Sequence, residues 1–252
     1  MKYLMRVLRA EAVKIRGTLA LRLCFIAPVL VVALVVLQLL FSRGGEPMAT
    51  PLLAWQRFAQ GVLVLWAFLM LPLYITLQSA LLAGLEHGER QWKHLLALPL
   101  PRRAHYLGKG VMLLALVLLA TCVLALAIPI GGWILMQANN PLGMSGMPPW
   151  MFLLSRSAAI LAASSFIISL HLWIAIRWPS FTVAVATGMT ATVAGFLITQ
   201  SARFGPWYPW SMPMQVLAGQ GEKMAFVVTA GLTGGVVCLL LGLLDFGRRE
   251  MG

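Results

Sequence analysis

Acidic residues are nearly missing from this chain: 7 Asp and Glu stand against 19 Lys and Arg among 252 residues. Chemistry that needs paired carboxylates therefore has little to draw on, and within the long apolar runs only Asp245 lies near a span interior. Charge of either sign is low as well, at 10% of residues against 60% hydrophobic, with a mean hydropathy of +0.88. That balance excludes an ordinary soluble domain and points to one polytopic membrane domain. No G-x-x-x-x-G-K-S/T phosphate loop occurs anywhere, so the chain carries no recognisable ATPase of its own. Cysteine is rare, and Cys24, Cys122 and Cys238 all fall inside apolar runs, where they read as small core residues rather than a disulfide or metal set. The net charge of +12 would suit nucleic acid, but the basic residues cluster at the ends of apolar runs. Membrane topology and lipid headgroups account for that distribution, and no nucleic-acid partner is expected.

What is present is a series of apolar runs near or above the ~20 residues that a helix needs to cross hydrocarbon. They predict an all-α bundle of six transmembrane helices at about 19–41, 61–85, 111–137, 157–176, 181–200 and 224–246. Residues 1–18 precede them with Lys2, Arg6, Arg9, Lys14 and Arg16 around a stripe of Leu4, Val7, Leu8, Ala12 and Ile15, the pattern of an interfacial helix on an anionic leaflet. The run from Leu19 to Phe41 is too long for a signal-peptide core and has no small-x-small cleavage site after it, so it is read as an uncleaved first span. With six spans, fourteen Lys and Arg fall on the side of the two termini and five on the other, which places both termini in the cytoplasm.

The one long charged island is residues 86–109, with Arg90, Lys93, Arg102, Arg103 and Lys109, the acids Glu86 and Glu89, and three of the four histidines. Trp92, Leu95 and Leu96 follow the i, i+3, i+4 spacing of one helical face, with Arg90, Lys93 and His94 opposite. Pro99 and Pro101 end that pattern. The reading is a short amphipathic helix across the cytoplasmic mouth of the bundle, its charges open to a soluble partner.

Other features are weaker. Gln78 and His171 sit at matching depths in spans two and four, as structural or cavity-lining polar groups expected to meet each other or a shared water. Residues 203–221 carry Trp207, Tyr208, Pro209 and Trp210, which suits either a re-entrant or an interfacial external segment. Gly231 and Gly235 in span six, and Ala184, Gly188 and Thr192 in span five, form small-residue strips for close packing within one chain or between two. The match of Gly143 to Gly146 to the G-x-S-G pattern of intramembrane serine proteases, with His171 as base, is disfavoured because Ser145 lies in a short loop followed by Pro148 and Pro149. No catalytic residues and no metal site are assigned.

The run of Glu86, His87, Trp92, Lys93, Leu95, Leu96, Ala97, Leu98, Pro99, Arg102, Tyr106 and Lys109 resembles the cytoplasmic loop between spans two and three of ABC-2 type transporter permeases, most closely the subfamily that includes lantibiotic-immunity permeases. Glu11 and Lys14 resemble that family's membrane-entry helix, and Pro209, Trp210 and Pro213 its external segment before the last span. The resemblance implies a non-enzymatic permease subunit in a bacterial cytoplasmic membrane, paired with a second, identical or homologous permease and with separate ABC ATP-binding subunits that hold ATP and Mg. Residues 86–109 would then be the coupling helix, and the cargo of export an amphipathic peptide, drug or lipid. The competing classes are an intramembrane enzyme and a non-transporting assembly or sensor protein.

Overall fold

A computed structural model describes residues 2–42, 48–88 and 101–248. Among them there is no strand, and six helices are long and apolar enough to cross a membrane. Helix α1 (Lys2–Ile15) precedes α2 (Leu19–Phe41). The second rod combines α3 (Pro51–Leu65), a π-helical turn (Trp66–Met70) and α4 (Leu71–Gly88). It is followed by α5 (Arg102–Gln137), then α6 (Trp150–Ala163) and α7 (Ser165–Arg177), which form one broken rod. Helix α8 (Phe181–Ile198), the short α9 (Met212–Gln215) and α10 (Met224–Arg248) complete the chain.

The first span has the expected bounds, but others run past the charge-based estimates. The second begins at Pro51 instead of 61, capped by the Thr50 hydroxyl on Leu53 N–H. The third begins at Arg102 instead of 111, and the fourth at Trp150 instead of 157. The reason is that charge marks where hydrocarbon ends, whereas a helix continues into the headgroup layer until its backbone is capped or broken.

The π turn has a local cause. Pro72 lacks a backbone N–H, and its ring crowds the carbonyl four residues earlier. The helix widens just ahead of it, with Leu71 N–H donating to Trp66 O five residues back. In the fourth span, Ser164 breaks the rod, its hydroxyl donating to Leu161 O at 2.7 Å.

Small residues decide how closely the rods approach. A Cβ on Gly231 would come within 2.5 Å of the Ala163 carbonyl oxygen, and one on Gly235 within 2.9 Å of the Ser165 carbonyl. The glycine pair of span six is thus filled by the break in span four of the same chain. Gly188 lies against Thr76 and His171, so the span-five strip also packs internally. Gly131 and Gly132 of α5 receive Val32 and the Trp55 ring. At the N-terminal end of α5, α1 crosses it, with Gly108 accepting the Val7 side chain. Val7, Glu11 and Ile15 form the buried face of α1, spaced by the four residues that align one helical face.

Candidate functional site

The buried face of α1 brings an acid to the end of α4 and the start of α5. Glu11 and Glu86 are 3% and 0% exposed, Lys109 is 2% exposed, and the Lys14 side chain is partly exposed. Lys14 Nζ donates to Glu11 Oε1 at 3.0 Å and to Glu86 Oε1 at 2.9 Å. Lys109 Nζ lies 3.1 Å from Glu11 Oε2 and 2.5 Å from Glu86 Oε2, and also donates to Leu82 O at 2.9 Å. Each lysine therefore bridges both acids, and the closed four-member ring is neutral. Neutrality and complete pairing let these charges leave water, because a lone buried ion would cost several kcal/mol.

Burial alone would raise the Glu11 carboxyl, but Lys109 and Lys14 outweigh it and hold its pKa below the ordinary 4.5. Burial alone would lower Lys14, and its bonds to Glu86 and Glu11 outweigh that, raising it above 10.5. A lowered carboxylate stabilises the fold above its unfolded value and loses that contribution as pH falls through the folded one; a raised lysine does the reverse at the alkaline end. The contribution of Glu11 and Lys14 to stability is expected to stay level from pH 4.5 to 10.5 and to decline outside that window. Comparing denaturant unfolding of the wild type and Glu11→Gln across pH measures that contribution, and a decline beginning near neutrality contradicts the ring.

The two ends of the charged island are thus joined to the entry helix. Arg102 and Arg103 are exposed in the first turn of α5. Glu89, Arg90, Trp92, Lys93, Leu95, Leu96 and Pro99 lie outside the described residues, so the proposed amphipathic helix is not described there. His105, which falls in the charged island, is buried in α5.

The pairing expected for Gln78 and His171 is corrected. Both are fully buried, but Gln78 donates to Ala20 O in α2 at 2.8 Å, whereas His171 Nε2 meets Thr76 Oγ1 at 3.2 Å. Thr76 and Gln78 are two residues apart, about 200° around the helix, and so face different neighbours. Equal depth did not mean equal direction. Thr76, absent from the sequence reading, also donates to Pro72 O at 2.8 Å. Because its single proton is used there, His171 Nε2 is the donor in their contact.

The segment around Trp210 folds inward. Trp210 is 8% exposed and meets His171 edge-on with ring centroids 5.5 Å apart. Tyr208 donates from its hydroxyl to Ala191 O at 2.9 Å, and Ser211 Oγ donates to Tyr208 O. Pro209 O accepts from Met212 N–H, whereas Trp207 remains 66% exposed against Phe226. Ser145 is exposed in its loop, where its carbonyl accepts from Trp55; His171 is enclosed among Thr76, Gly188 and Trp210. The structure does not bring the two together as nucleophile and base. Asp245 is engaged by Trp173 Nε1 at 3.1 Å and by Arg177 Nε at 3.6 Å.

The ring had one signal in the sequence that went unread. Glu11 is the only acid in the basic segment 1–18, and it stands four residues from both Val7 and Ile15, on the face that must be buried. An acid there calls for a base from another helix.

Residues 7–195 match a family model described as ABC-2 family transporter protein. No curated protein and no solved structure matches the chain. All four ring residues lie inside the matched range, whereas the segment around Trp210 and the last span lie beyond it.

Proposed function

The chain belongs to the ABC-2 transporter family, and from that premise we propose that it is the permease subunit of an ATP-driven exporter in a bacterial cytoplasmic membrane. The observation that carries the coupling part of this reading is the ring: Glu86 closes α4, Lys109 lies in the opening turns of α5, and both are bonded to α1. Residues 89–101 join those two helices. A load applied to them by a closing ATPase is delivered to α1, α4 and α5 as one unit. ATP and Mg belong to that partner, and a second permease, identical or homologous, completes the pathway.

Both termini and residues 86–109 face the cytoplasm in this reading, as supported by the fourteen-to-five distribution of Lys and Arg. Spans that are apolar and almost without charge suit an amphipathic or hydrophobic cargo, such as an antibiotic peptide, drug or lipid, better than an inorganic ion. The likeness of residues 86–109 to the lantibiotic-immunity loop favours a peptide among these.

Affinity purification of the tagged chain, co-expressed with the products of neighbouring genes, tests the proposal. An ATP-binding subunit is expected to be retained and its hydrolysis stimulated. In the same membranes a cysteine replacing Lys93, in a background lacking the three native cysteines, should react with an impermeant maleimide only once the inner face is opened. Retention of no ATPase, or labelling from outside, overturns the reading.

A further inference from the structure

We propose that the furrow between α5 and α10, floored by α7, holds an acyl chain of an anionic phospholipid of the cytoplasmic leaflet, with the lipid phosphate on Arg103. The furrow has a volume of about 240 Å³. Leu107, Val111 and Leu114 wall it on one side, Val236 and Leu239 on the other, and Ile168 lies on its floor. Glycine creates the space. A Cβ on Gly110 would stand 3.0 Å from Leu172 Cδ2, and one on Gly235 would strike the Ser165 backbone. Both walls therefore sit close against the floor while presenting no side chain at those two positions.

The furrow is open to the membrane, since Val111, Leu114 and Val236 are exposed on its rim. Its apolar lining packs methylene groups. The identity of the headgroup follows from its cytoplasmic end. Arg103, Leu107, Gly110 and Leu114 stand at i, i+4, i+7 and i+11 on one stripe of α5. Arg103 is exposed in the first turn of that helix, which puts its guanidinium at the headgroup end of the furrow. From Arg103 to Leu114 the helix rises about 16 Å, the span of a phosphate and the upper part of one chain. A guanidinium fork matches a phosphate in two hydrogen bonds, and a basic group at the cytoplasmic mouth of an interhelical furrow is complementary to an anionic lipid and indifferent to a zwitterionic one. Asp245, the acid on α10 nearest this end, does not oppose it, because it is engaged by Trp173 and Arg177 of α7.

The site rests on the cytoplasmic placement of residues 86–109 proposed above, and not on what the chain transports. The test uses the full chain reconstituted with equal phosphatidylglycerol and phosphatidylcholine, then released into the gas phase for native mass spectrometry. The wild type is expected to retain one phosphatidylglycerol in preference to phosphatidylcholine. Arg103→Gln should lower that retention about fivefold, the factor that corresponds to about 1 kcal/mol for one basic residue near an anionic surface, and leave phosphatidylcholine unchanged. Leu114→Trp, which fills the furrow from its exposed rim, should remove the retained lipid while the far-ultraviolet dichroism stays that of the wild type. Arg203→Gln, at an exposed arginine away from the furrow, serves as the control without effect. Equal retention of the two lipids, or either furrow variant behaving as wild type, overturns the proposal. So does a stable dimer that Leu114→Trp dissociates without loss of lipid, which would assign the furrow to a second copy.

Discussion

Lys109→Met is expected to destabilise the folded chain by about 3–5 kcal/mol, the cost of leaving buried charge without its partner. Glu11 and Glu86 would then face each other with only Lys14 between them, and the Leu82 carbonyl would lose its donor. Methionine keeps the length and apolar stem of lysine, so the loss isolates charge and not volume. Unfolding in mixed detergent micelles measures it. The double variant Lys109→Met with Glu86→Gln removes one charge of each sign and should recover a substantial part, because members of one ionic network are not additive. Exchanging the two charges, Glu86→Lys with Lys109→Glu, should recover less, since the exchanged groups must also replace the bond to Leu82 O and keep their geometry with Glu11 and Lys14. If Lys109→Met is as stable as the wild type, or if the double variant is no better than the single, the ring is not a connected unit.

Trp92→Ala with Leu96→Ala should leave insertion and span count intact and uncouple ATP hydrolysis from export. The two residues lie outside the described part of the chain, and the expectation rests on their spacing and on the frame around them. An indole that anchors a helix in a partner's groove or on the bundle contributes ~2 kcal/mol or more, about a thirtyfold change in docking. The charges Glu89, Arg90, Lys93, Arg102 and Arg103 around it contribute individually much less if they pair at an exposed rim. The ring predicts the form of the defect. With Glu86 and Lys109 untouched, α1, α4 and α5 should remain joined, so stability should fall little while transport is lost. Full transport by this variant at normal expression removes the coupling role from residues 86–109. Loss of transport together with a large fall in stability would instead place Trp92 in the core of the bundle.

The two variants separate a frame from its actuator, and the distinction shows what could be read without coordinates. The apolar runs identified six spans because crossing hydrocarbon is a local requirement: some twenty residues of one kind, wherever the neighbours lie. Pro28, Pro72 and Pro129 are equally visible in the sequence, as residues that can kink a helix. Only Pro72 coincides with a π turn, since Pro28 and Pro129 are held within continuous α2 and α5. Whether a helix absorbs a proline by widening depends on what surrounds it. The small-residue strips were legible as close-packing surfaces but not as to partner. Gly231 and Gly235 fit equally well against another copy until the Ser164 break in span four is seen to occupy them.

The sequence by itself determined the membrane class, the number of spans and the existence of a charged island between spans two and three. Each of these follows from the transfer free energy of a contiguous stretch, which depends on composition and length and not on the fold. Only the tertiary structure decided that Glu11, Lys14, Glu86 and Lys109 form one ring, that Gln78 and His171 belong to different contacts, and that Trp210 turns inward onto His171. These are matters of direction. A buried charge or hydrogen-bonding group must find a partner, but several lay within the same depth range, and which one it meets is set by the rotation of each helix about its axis. That rotation is fixed by where glycine lets neighbouring helices touch, as at Gly108 under Val7 and Gly188 beside His171.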